Sequence, residues 1–168
     1  MRNNRIERNP VLAIAIFLAI CSMTAAAQEP ASVDRLPGVT PSALVGTWTV
    51  QATVTNCQGT TLQTFSKLVS FDLSGTAHET STGAPPSVRT TAFGIWEHTG
   101  LNSFRYALQF YFYPPGSPVN GTTLARWYVT MGQFNDSYAA EAEIVVTPPA
   151  GPVQNLCGTE TGTRFNPF

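Results

Sequence analysis

The residues that could do chemistry in this chain are few and scattered. Its two histidines each stand beside a glutamate, as His78-Glu79 and Glu97-His98. A metal centre needs several His, Cys, Asp or Glu side chains converging on one ion. Both dipeptides fall in strand-like segments, where neighbouring side chains point to opposite faces, so neither closes on a single ion. A site pairing His78 with His98 across adjacent strands stays geometrically open, set against two surface histidines. The serines lack a Gly-x-Ser-x-Gly context, and Cys57 serves better as half of a disulfide than as a thiolate. The sequence therefore designates no catalytic residue, no metal ligand and no cofactor.

What it offers instead is aromatic surface. Trp48, Trp96, Phe104, Tyr106, Phe110, Phe112 and Trp127 could wall an apolar cavity, or could simply fill a core. Arg89, Arg105 and Arg126 bear on that choice. A guanidinium turned inward needs an anionic partner, which a ligand carboxylate could supply, whereas three outward arginines are ordinary surface residues. The expected ligand-binding set is Trp48, Trp96, Tyr106, Phe110, Trp127 and Arg126.

Strands must position these groups. Eight segments of alternating pattern, separated by turn residues, run from Leu44 onward. The first, Leu44 to Asn56, sets Trp48, Val50, Ala52 and Val54 against a face of threonines and Gln51. The next are Leu62 to Leu73, Thr76 to Ser81, Arg89 to His98 and the aromatic Ser103 to Tyr113, in which Phe104, Tyr106, Leu108, Phe110 and Phe112 share a face. Thr122 to Gln133 puts Ala125, Trp127, Val129 and Met131 opposite Arg126, Tyr128 and Thr130; Tyr138 to Thr147 and Leu156 to Phe165 follow. For the fourth and sixth segments, aromatics on both faces leave the inward side open. Short connections imply antiparallel pairing of sequential neighbours, and closing the sheet removes its exposed edges. The expected fold is all-β, an eight-stranded antiparallel up-and-down barrel over residues 44–168.

The first 27 residues combine Arg2, Arg5 and Arg8, the apolar run Val11 to Ile20 and Ala25-Ala26-Ala27, the pattern of a signal peptide. The apolar run is about half of the roughly 20 residues a bilayer-spanning helix needs. Lipoprotein processing at Cys21 is the alternative, and Ile20 does not fit the small residue such a site places before its cysteine. Residues 28–43, with Pro30, Pro37 and Pro41, are expected to be a flexible leader. After cleavage, six Lys and Arg face nine Asp and Glu, so no basic face exists for nucleic acid. The exported chain keeps Cys57 and Cys157, an even pair that reads as a disulfide, with two free buried thiols as the alternative. The chain is expected to be secreted or periplasmic.

Gly46-Thr47-Trp48, with Arg164 near the C-terminus, resembles the calycin superfamily of lipocalins and their relatives, which open strand one with Gly-x-Trp and set a late arginine over that indole. The middle-loop motif and the helix of classical lipocalins have no counterpart here. Phe93-Gly94-Ile95-Trp96 and the run from Cys157 to Phe165 also resemble small exported bacterial proteins without an assigned function. The resemblance implies a lipocalin-like barrel holding a small, largely apolar ligand. Two other readings stand beside it. One is a solid barrel that meets a macromolecule through loops 82–88 and 114–121. The other, of the kind represented by the allene oxide cyclases, shapes a cavity around a reactive substrate and would bury groups such as Glu79, His98 or Arg126 at its mouth.

Overall fold

The computed structural model describes residues 42–116 and 120–166. Residues 1–27, where a signal peptide is expected, and 28–41 of the expected leader lie outside the described residues. Every described residue belongs to one compact unit, 38–168.

Eight strands make up that unit: β1 Gly46–Thr55, β2 Thr61–Phe71, β3 Thr76–Ser81, β4 Ala92–Gly100, β5 Ser103–Phe112, β6 Gly121–Met131, β7 Ser137–Thr147 and β8 Gln154–Arg164. Each pairs antiparallel with the next, and β1 closes on β8. The all-β, up-and-down barrel read from the alternation is the fold observed. Alternation also fixes the faces. Along β6 and β7 the inward positions carry Ala125, Trp127, Val129, Tyr138, Ala140, Ala142 and Ile144, while Arg126, Tyr128, Glu141 and Glu143 face out. On β1 and β8 the outward positions are largely threonines. This is the inverse of a transmembrane barrel, which turns its apolar side chains outward.

β4 resolves the ambiguity of its two aromatic faces. Ala92, Gly94 and Trp96 turn inward, while Phe93 and Ile95 are exposed. The strand also starts later than expected, at Ala92. Arg89 precedes it and makes an isolated antiparallel bridge with Phe112 of β5.

One half of the barrel is solid. Where β1 starts and β8 ends, Leu44, Trp48, Phe71, Phe104, Val129, Met131 and Tyr138 are all buried. Trp48 donates its indole N–H to Leu44 O at 2.8 Å and packs edge-on against Tyr138. Arg164 seals this end. Its guanidinium lies 4.4 Å from the Trp48 ring and donates to Val45 O, Ala43 O and Asn135 O. Gly46, at a φ of +128°, is required beneath it, because a Cβ there would come within 2.8 Å of Arg164 Nη1. The Gly-x-Trp and late-arginine signature is thus one physical unit that stoppers the barrel.

At the opposite end, register brings Thr55 of β1 beside Cys157 of β8. Cys57, two residues further on, forms the expected disulfide with Cys157. The bond ties the first strand to the last at the rim.

Candidate ligand cavity

Above the aromatic plug, the interior changes character. Lys67 of β2, Glu79 of β3, Arg89 and Glu160 of β8 all point inward, with 3, 7, 9 and 3 % of their surface exposed. Lys67 Nζ lies 2.6 Å from Glu160 Oε2, an ion-pair contact, and donates to Glu79 Oε2 at 3.4 Å and to Tyr106 Oη at 3.3 Å. Arg89 donates to the other oxygen of Glu79 at 3.1 Å, to Ser81 Oγ at 2.6 Å and to its neighbour's carbonyl, and its plane stacks on Phe110. Tyr106 and Tyr138 both donate their hydroxyls to Glu160 Oε1. Burial, reinforced by the negative charge of Glu160, holds both phenols well above their ordinary ionisation range, so they remain donors. Lys67 also sits 4.2 Å from the centre of the Trp127 ring. Lys67, Glu79, Arg89, Tyr106, Tyr138 and Glu160 form a connected polar belt across the middle of the barrel.

A cavity of about 430 Å³ opens on the far side of the belt, at the disulfide end. Lys67, Glu79, Arg89 and Trp127 form its inner part, and Val54, Phe65, Phe110, Ile144, Val146 and Leu156 are among its walls. Gly83, Ala84 and Val88 from one connection, and Tyr113, Pro114 and Pro115 from another, border the mouth. The described parts of the two loops considered as a contact surface therefore flank an opening. An eight-stranded barrel has room for its own side chains or for one small ligand. Small inward residues make the difference here. Ala125 and Thr123 on β6 leave space where the other half carries rings, whereas Gly158 on β8 is small because its inward side is already filled. At Gly158 a Cβ would press on Trp127 at 3.1 Å and on Ile144 at 3.2 Å.

Of the residues expected to bind a ligand, Phe110 and Trp127 line this cavity. Tyr106 lies beneath it, stacked on Trp127 at 6.0 Å and engaged in the belt. Trp48 belongs to the solid half. Trp96 is only half-buried, next to Phe71 and Phe104 at the plugged end, with its N–H given to Asp72 O. Arg126 points outward, opposite Glu143 in the sheet register, and Arg105 pairs with Glu97 on the outside. Of the three arginines weighed for an inward role, Arg89 alone takes it, and its anionic partner is Glu79 rather than a ligand. His78 and His98 are exposed, against Phe93 and Phe104 respectively, and no cluster of metal-ligating side chains exists among the described residues.

Sequence reading passed over Lys67 and Glu160, although a signal was present. Lys67 interrupts the apolar series Phe65, Val69, Phe71, and Glu160 stands between Gly158 and Gly162. A charge at an inward position demands a partner across the barrel. The fold and site together define a closed antiparallel barrel, stoppered at one end by an arginine on a tryptophan and hollow at the other. No family model, curated protein or solved structure matches the chain.

Proposed function

We propose that this protein is an exported, lipocalin-like carrier that binds one small, largely apolar molecule in the hollow half of its barrel. The observation that carries this reading is the division of the interior. Packing is complete on one side of the polar belt, whereas the other side keeps about 430 Å³ of mostly apolar space reached from one end. A core filled only for stability has no reason to keep that void, since unfilled apolar volume costs about 24 cal/mol per Å³ in cavity-creating substitutions. Export accords with the signal-like N-terminal sequence and with the Cys57–Cys157 bond. The cyclase-like reading finds support in Glu79, which lines the cavity, but each of its oxygens already accepts from a cation, Lys67 on one side and Arg89 on the other, so the carboxylate is engaged within the belt. Native mass spectrometry of the domain purified from its own host, before and after denaturation, tests the carrier reading. A small molecule released at unit stoichiometry is the expected result. A bare polypeptide that also takes up no apolar compound on titration would overturn it.

A further inference from the structure

We infer that the ligand is uncharged and carries a hydrogen-bond acceptor, such as an ester, ketone or ether oxygen, that is held at the belt by the indole N–H of Trp127. This inference rests on the carrier reading and adds the chemistry of the ligand's polar end.

Two observations carry it. The first is charge balance. Lys67 and Arg89 supply two positive charges and Glu79 and Glu160 two negative ones, and these are the only buried charged side chains among the described residues. Every one of them is paired. Lys67 donates to Glu79 and Tyr106 and lies in ion-pair contact with Glu160. Arg89 is occupied by Glu79, Ser81 and a backbone carbonyl, with a ring against its plane. A carboxylate or ammonium entering the cavity would therefore be buried with no free counter-charge, or would have to break an existing pair. The second observation is an unused donor. Trp127 lines the cavity, is 2 % exposed, and its Nε1–H has no acceptor among the described residues. A buried donor left unmade costs free energy that a ligand oxygen would recover, and a donor selects for an acceptor.

The test is displacement of the neutral fluorophore phenylnaphthylamine from the disulfide-intact domain by methyl decanoate, decanoate and decylammonium. The uncharged ester is expected to bind at least about tenfold more tightly than either ion, because a tenfold ratio is about 1.4 kcal/mol and an unpaired buried charge costs more than that. In Trp127→Phe the ester should weaken about three- to tenfold, the equivalent of one neutral hydrogen bond, while the fluorophore holds within about twofold. Glu79→Gln leaves the belt with an unmatched positive charge, so decanoate should gain about tenfold on the ester. Far-UV circular dichroism and fluorophore uptake confirm that each variant is folded. Decanoate matching the ester in the unmodified barrel, an ester affinity unmoved by Trp127→Phe, or an unchanged preference in Glu79→Gln overturns the inference while leaving a carrier. A barrel that takes up neither the fluorophore nor any of the three overturns the carrier reading, and the inference with it.

Discussion

Replacing Lys67 with methionine removes the one cation that touches both buried carboxylates while keeping an unbranched side chain of similar length. In the native barrel Lys67 lies 2.6 Å from Glu160 and 3.4 Å from Glu79, with almost none of its side chain exposed. Without it, Glu79 keeps Arg89, but Glu160 keeps only the two phenols, and the interior carries one unmatched negative charge. Removing one partner of a buried pair costs about 3–5 kcal/mol. For a domain of this size that corresponds to a fall in Tm of roughly 10–20 °C. The double variant Lys67→Met with Glu160→Gln restores neutrality and leaves the glutamine carbonyl to accept from Tyr106 and Tyr138. Its cost should therefore fall to about 1–2 kcal/mol, the scale of ordinary hydrogen bonds and lost packing, so the double variant should be about 2–3 kcal/mol less destabilised than Lys67→Met alone. Urea unfolding of the four members of the cycle, with the disulfide intact and m-values checked for constancy, measures this. A single variant costing under about 1 kcal/mol, or a double variant costing the sum of the singles, would refute the idea that the belt is held by charge balance.

Other consequences follow from the same geometry. Arg164→Ala removes hydrogen bonds to three backbone carbonyls and the stack on Trp48, and should cost about 2–4 kcal/mol in urea unfolding, with Arg164→Lys recovering less than half because an ammonium cannot serve that fork and the ring together. Reduction of Cys57–Cys157, or the double serine variant, should lower stability by up to about 4–5 kcal/mol in calorimetry, the value for closing a loop near 100 residues. Tyr106 and Tyr138 have folded ionisation ranges raised above the unfolded value near 10, so stability should be flat with respect to them below that pH and fall above it by about 1.4 kcal/mol per pH unit for each phenol, visible as late phenolate absorbance that coincides with unfolding. Asp72, in the β2–β3 turn, accepts from Ser74 and Thr76, which lower its carboxyl to about 2; its contribution is present above its unfolded value of 3.8 and is lost as pH falls toward 2, so the Tm difference between the unmodified domain and Asp72→Asn should shrink over that window.

The barrel was legible in the sequence because its two-residue period is a local signal. On β1 and β7, one face reads apolar and the other threonine or glutamate, and each residue declares its side without reference to the rest of the chain. β4 was not legible in this way. Phe93 and Ile95 are exposed there while the inward positions run from Ala92 and Gly94 to Trp96, so neither size nor apolarity marks the inward side, and at Gly94 a Cβ would run into the backbone of Ala107 on β5. The disulfide was legible as an even pair of cysteines in a chain read as exported, and closure of β1 on β8 is what brings the two together. The belt escaped because its meaning is non-local: Lys67, Glu79 and Glu160 become partners only when distant strands are wrapped around one axis, and each alone resembles a surface charge. Which aromatics fill and which line was equally hidden, since Trp48 and Trp127 occupy the same parity on their strands and differ only in their depth along the barrel.

The central claim, that the hollow half is a binding site, is tested most directly by filling it. Val146 lines the cavity between Ile144 and the rim on β7. Titration of the domain and of its Val146→Trp variant with phenylnaphthylamine, followed by fluorophore emission, should show saturable binding at one site in the first and loss of at least about tenfold in affinity in the second, with Tm little changed because the indole enters existing space. Binding of equal strength in both proteins would place the fluorophore elsewhere, and the absence of saturable binding to the unmodified barrel would contradict the account.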